Sequence, residues 1–208
     1  MANITGLFFR LSSIDARIYQ VLRIVDFDVE NSIPTLFSFL NLLLSAGLLF
    51  LISIRFKDRF REYLPWLGLA FVFLFLSLDE ILSIHENFIE IFREKYNFSG
   101  LLYFSWVIPY GIGLLVFLLI YFPFFLKLPK RIKLLFAVSG FVFVSGAIGM
   151  ELFGGRYYEQ NGGNSDLTYS MFYTLEELLE MLGITFFNYA LLSYIAIHCK
   201  EINVKIVN

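Results

Sequence analysis

The sequence predicts an all-α fold, a polytopic membrane helix bundle of about five transmembrane helices preceded by an amphipathic helix at the interface. Three observations carry that reading. The 208 residues are 58% hydrophobic and 19% aromatic but only 16% charged, too apolar for an ordinary soluble domain. The mean hydropathy is +0.72. Five stretches reach the roughly 20 apolar residues that a helix needs to cross a hydrocarbon core about 30 Å thick.

Those stretches run over Ile33–Ile54, Leu64–Ile84, Leu101–Phe125, Ile132–Phe153 and Tyr173–His198. "RFKDRFREYLP" separates the first two, "LKLPKRIK" the third and fourth, and the polar "GGRYYEQNGGNSD" the fourth and fifth. Nothing between them is large enough for a soluble fold, so residues 32–208 read as one five-helix transmembrane domain. Residues 1–31 read as an amphipathic interfacial segment. There Ile4, Leu7, Phe8, Leu11, Ile14, Ile18, Val21, Leu22 and Val25 recur at helical spacing, interrupted by Arg10, Asp15, Arg17 and Arg23. Those charges exclude a secretory signal. Packing of this helix against the bundle or a partner subunit is the alternative to lying on the lipid.

Composition also excludes function classes. A net charge of −2 and the lack of a basic stripe exclude a nucleic-acid partner. The single cysteine, Cys199, excludes an internal disulfide and a multi-cysteine metal or redox motif. No phosphate loop, nucleophile elbow or dinucleotide fingerprint is present. The expected partners are the lipid bilayer and a second copy or a membrane subunit.

Loop charge sets the orientation. The loops after the first and third spans and the C-terminal tail hold ten basic residues, among them Arg55, Lys57, Lys130, Arg131 and Lys205, against six on the other side. The positive-inside rule then places the N-terminus outside and the C-terminus in the cytoplasm. Three helix ends bring acidic residues to the outer side: Asp79, Glu80, His85 and Glu86 at the end of the second span, Glu151 at the end of the fourth, and Glu176, Glu177 and Glu180 at the start of the fifth.

"SLDEILSI" (77–84) aligns without gaps on "TLEELLEM" (174–181), which reads as paired acidic half-sites facing each other. At about 100° per residue, Asp79, Glu80, Ser83, Glu86, Asn87 and Glu90 share one arc of the second span. His85 points elsewhere unless the helix unwinds there. Tyr173, Glu176, Glu177, Glu180 and Gly183 share an arc of the fifth. In the fourth, Ser139, Gly140, Ser145, Gly146, Ala147 and Gly149 allow close helix approach, so this span is expected to touch both acidic helices.

Carboxylates gathered in a partly apolar site must be protonated, paired with cations or bound to metal. The plain alternative is that they are solvated helix-end charges, favoured by the dipole at the start of the fifth span. As a divalent metal site, the ligands would be drawn from Asp79, Glu80, His85, Glu151, Glu176, Glu177 and Glu180. As proton chemistry, Glu80, His85 and Glu177 are the candidate acid/base groups. "EILSIH" lacks the Glu-x-x-His spacing of two-metal helix bundles, so their activity is not carried over. Pro109 is placed to kink the third span. Tyr103, Trp106 and Tyr110 on the acidic side, with Tyr63 and Trp66 on the other, read as interfacial belts.

"LSLDEILSIHE", "WVIPYG", "GAIGMELFGG" and "TLEELLEMLG" together resemble a pattern of uncharacterised multi-pass bacterial membrane proteins with acidic D-E-x4-H-E and L-E-E-x-x-E-M motifs. The likeness covers about Leu64 to Tyr194. It implies that Asp79, Glu80, His85, Glu86, Glu151, Glu176, Glu177 and Glu180 form one unit in a bacterial inner membrane, and it implies no substrate. Three functions are therefore expected: a metal-dependent membrane enzyme acting on a lipid or lipid-linked substrate, a cation- or proton-coupled transporter, or a non-catalytic accessory subunit or sensor.

Overall fold

A Ser-x-Pro start fixes the first helix. Ser32 is its N-cap, accepting from the Thr35 backbone N–H at 3.4 Å, and Pro34 sits in the first turn, where its missing N–H costs nothing. The computed structural model describes residues 27, 32–85 and 98–198. Among the described residues five helices are long and apolar enough to cross a membrane. They are α1 (Ile33–Arg55), α2 (Phe60–Leu82), α3 (Val107–Lys127), α4 (Lys130–Gln160) and α5 (Leu167–His198). The chain is an all-helical membrane bundle. The expected N-terminal amphipathic segment, Glu86, Asn87, Glu90 and the C-terminal tail with Cys199 lie outside the described residues.

α1 lies along α2 and α5, and α5 lies along α4. Among the described residues the fourth span packs closely along α5 and touches α2 more lightly, and α1 lies beside α2. Contact between α2 and α4 is made by side chains, with Trp66 edge-on to Phe136 at 6.4 Å. Trp66 is 2% exposed and is thus a core residue, not a member of an interfacial belt. Around it pack Leu49, Ile52, Leu69, Ile132, Leu191 and Tyr194. This apolar core fills the half of the bundle nearest the basic loops. Large residues such as Phe71, Leu119 and Phe141 cover the outside, as lipid contact requires.

Two helices are longer than their apolar runs. α4 spans 31 residues and α5 spans 32, so each is about 47 Å long, and together they project beyond the hydrocarbon as a hairpin. "GGRYYEQ" is helical for this reason, although its polarity predicts a loop. Gly154 and Gly155 let Phe172 and Phe104 pack directly on the backbone there, and Asp166 caps the returning helix by accepting from the Tyr169 N–H at 2.9 Å. The turn itself uses Gly162 and Gly163 at φ +66° and +78°, open to glycine without strain.

α3 starts at Val107, six residues later than its apolar pattern predicts. Gly100–Leu102 form a 3-10 turn instead, and the Gly100 N–H donates to Glu159 Oε2 at 2.6 Å. This pins the strap of residues 98–106 to the hairpin. Pro109 consequently falls in the first turn of α3, where proline is tolerated, and it does not kink the span.

Candidate functional site at the acidic membrane face

The site begins where α2 breaks. Leu82 is its last helical residue, and Ser83 is left-handed at φ 48°, ψ 43°, with its N–H on the Asp79 carbonyl. Unwinding swings His85 back over the helix end. Asp79 Oδ1 accepts the His85 backbone N–H at 2.9 Å, and Oδ2 lies 3.4 Å from His85 Nδ1. Helical spacing alone puts His85 in another sector, so the break itself brings it to Asp79.

A second donor comes from α3. The Tyr110 hydroxyl donates to Asp79 Oδ1 at 2.8 Å, and Asp79 is 6% exposed. Trp106, one turn earlier, donates its indole N–H to Glu151 Oε1 at 2.6 Å. The His85 ring lies 5.0 Å from the Trp106 ring and 6.4 Å from that of Tyr110. Trp106 and Tyr110 are therefore site residues, not an interfacial belt. Their spacing of four, with both polar tips at the level of the carboxylates, was the available signal.

Glu151 is placed by an irregularity. Residues Ser145–Met150 form a π-helical stretch immediately before it, a widening of the helix that is frequent at functional sites. Within it Gly146 meets α5 so closely that an added Cβ would stand 2.7 Å from the Glu176 carbonyl oxygen and 3.1 Å from Glu180 Cγ. Gly183 of α5 answers in kind, since a Cβ added there would stand 2.7 Å from the Phe143 backbone nitrogen. Gly140 and Gly149 make no such approach across helices, so only part of the small-residue set forms the contact.

The close approach of α4 and α5 assembles the carboxyl groups. Glu176 is hydrogen-bonded to Glu151 and lies within electrostatic range of Glu180 and Glu177. Glu180 stands within electrostatic range of Glu177, Glu80, Glu151 and Asp79. The residues expected as one unit, apart from Glu86, are thus brought together, and the aligned halves around Asp79 and Glu176 do face one site. Along their helix axes Asp79, Glu151 and Glu180 stand about 27–32 Å from the basic ends, the depth of a hydrocarbon core. The site lies at the membrane edge, beneath the hairpin and the strap.

As for a metal, no group of three or more His, Cys, Asp or Glu side chains able to hold an ion is found among the described residues. The oxygens of Asp79 and Glu151 instead receive N–H and O–H donors. Above the site, outside the spans, the Tyr157 hydroxyl at 2.6 Å and the Tyr169 N–H hold the Asp166 carboxyl below its ordinary range.

The family model of a domain of unknown function, DUF8692, matches residues 2–194. The match takes in the N-terminal segment and α1, which the acidic motif pattern leaves out. No curated protein and no solved structure matches the chain.

Proposed function

We propose, for a chain that belongs to the DUF8692 family, that the acidic end of the bundle is a proton-binding acid/base site, used by a small membrane enzyme on a lipid or lipid-linked substrate. The observation that carries this reading is the donor pattern. Asp79 is engaged by the His85 N–H and the Tyr110 hydroxyl, and Glu151 by the Trp106 indole with the Glu176 carboxyl beside it. Carboxyl groups bound in this way are arranged to hold and pass protons, whereas a divalent ion needs free oxygens converging on one point.

In this reading His85 moves the proton at its imidazole and Asp79 orients the ring through Nδ1. Glu80 and Glu177 are the further acid/base groups, and Glu176 and Glu180 complete the carboxyl cluster around them. The depth of the site at the edge of the hydrocarbon suits a reacting group near a lipid headgroup. The excess of Lys and Arg on the opposite loops favours an extracytoplasmic position for it, in a bacterial inner membrane. A second reading, proton-coupled transport, is favoured by one observation: polar side chains continue below the site into the bundle, where Ser45 Oγ meets Asn188 Oδ1 at 2.8 Å.

The deciding experiment is infrared difference spectroscopy of the detergent-purified protein across pH, with metal content measured on the same sample. A carboxyl band that responds to pH and disappears in Glu180→Gln is the expected result. Stoichiometric bound metal, lost in Glu177→Gln/Glu180→Gln, would replace the proton site with a metal site. Proton uptake by vesicles containing the protein would move transport ahead of catalysis.

A further inference from the structure

One face of α1 is polar where lipid-spanning helices are normally apolar. Thr35, Ser38, Asn41 and Ser45 lie on an arc of about 120°, below the capping Ser32, and all but Asn41 are buried. From Ser32 to Ser45 the row is about 20 Å long. Its two ends are bonded. At the top the Ser32 and Thr35 hydroxyls lie 3.1 Å apart. At the bottom Asn188 Nδ2 donates to the Asn41 carbonyl at 3.1 Å, while Ser45 Oγ donates to Asn188 Oδ1. Between them, Ser38 is 1% exposed and its hydroxyl has no hydrogen-bond partner among the described residues.

A buried hydroxyl in a membrane interior is not left unbonded. Helical geometry says what lies beside it. α1 and α5 run parallel, and Ser45 is level with Asn188, so Ser38, seven residues earlier, is level with Met181, next to Glu180. On the other side Ser77, two residues before Asp79, donates its hydroxyl to the Phe39 carbonyl at 3.2 Å. Ser38 therefore stands beside the carboxyl cluster, at the level of Glu180 and between α2 and α5. Below Ser45 the row ends in Leu49 and Ile52, sealed by Leu191.

We propose that these residues line a blind polar path, leading inward from the acidic face and closed at mid-membrane, whose occupant is water at Ser38 and whose cargo is the proton of the carboxyl cluster. The path rests on the proton-binding reading of that cluster. Thr35 above and Asn41 below supply the further polar groups that a buried water needs.

Thiol accessibility tests it. In a Cys199→Ser background reconstituted in vesicles, Thr35→Cys, Ser38→Cys, Ser45→Cys, Ile52→Cys and the lipid-facing Leu40→Cys are exposed to a charged, membrane-impermeant methanethiosulfonate from either side. The reagent attacks the hydrated thiolate, which an apolar setting suppresses. Thr35→Cys and Ser38→Cys should react from the acidic side only, at least about tenfold faster than Leu40→Cys, the thiolate ratio of one pK unit. Ser45→Cys should react more slowly and Ile52→Cys not at all. If Thr35→Cys and Ser38→Cys are as inert as Ile52→Cys while Asn161→Cys in the hairpin turn labels fully, the row is only a packing surface and the path is overturned. Reactive cysteines without a pH-dependent carboxyl band would overturn the proton as cargo. An intact band with inert cysteines would leave the acidic site standing alone.

Discussion

Asp79 and His85 are joined across a broken helix end, with the carboxylate of Asp79 accepting the His85 backbone N–H at 2.9 Å and its second oxygen 3.4 Å from the ring Nδ1. The same carboxylate receives the Tyr110 hydroxyl, so one buried side chain ties α2, α3 and the chain beyond α2. Its removal strands several donors at once. Asp79→Ala should lower stability by about 2–4 kcal/mol, since bonds to charged groups contribute about 1.5–3 kcal/mol each and stranded donors add to the loss. Asp79→Asn keeps an acceptor oxygen and should cost less than half as much. Thermal unfolding in detergent measures both, and equal losses would mean that the charge, not the acceptor, holds the break.

The glycines of α4 and α5 divide by what surrounds them. A Cβ at Gly183 would stand 2.7–2.8 Å from the Phe143 backbone, which cannot rotate away, whereas one at Gly140 meets nothing within 4 Å. Gly183→Ala should therefore force α4 and α5 apart, costing about 1–3 kcal/mol or more. Gly140→Ala should be neutral or stabilising by up to about 1 kcal/mol through helix propensity. Size-exclusion profiles and unfolding temperatures of the two variants check the contrast.

The class of fold and the acidic end were legible because both are written in local composition. Runs of apolar residues mark the spans, and carboxylates near span ends mark one face whichever way the chain is inserted. What was not legible depends on the backbone leaving its regular path. The left-handed Ser83 brings His85 to Asp79, and the π-helical stretch before Glu151 keeps Gly146 against α5 while Glu151 faces Trp106. Regular periodicity predicts neither. The roles of Trp106 and Tyr110 were hidden by a sound general rule, that aromatic residues with polar tips collect at membrane interfaces. The same preference suits a site at that depth. Asn188 and Ser45 bond across 143 positions, a pairing that no local pattern contains.

The hairpin outside the membrane should respond to acid. Asp166 accepts from the Tyr157 hydroxyl and the Tyr169 N–H, which hold its carboxyl below the ordinary value of about 3.9. A lowered native value means that the contribution is fully present above the unfolded value and is lost as pH falls through the native one. Hydrogen exchange at the Thr168–Ser170 amides should therefore be pH-independent, after correction for intrinsic rates, down to about pH 4, and accelerate below it. Asp166→Asn retains an acceptor for the cap but not the charge, and should abolish that acceleration. If the variant and the wild type accelerate alike, another group controls the hairpin.

Trp106 provides a direct view of the site, because the chain has two tryptophans and the other, Trp66, belongs to the apolar core. In a Trp66→Phe background the emission belongs to Trp106, whose indole N–H is bonded to Glu151 at 2.6 Å. Glu151→Leu removes the acceptor and leaves a buried donor, which should shift the emission to shorter wavelength and lower the unfolding temperature. The loss corresponds to about 1.5–3 kcal/mol for a bond to a charged group. Glu151→Gln keeps an acceptor and should preserve most of both. Glu176→Gln should leave the indole bond in place while altering the partner of Glu151, so its emission should stay close to that of the parent. If Glu176→Gln instead reproduces the Leu variant, Glu151 is held by the carboxyl pair and the indole follows it, which would reverse the order in which the two bonds build the site.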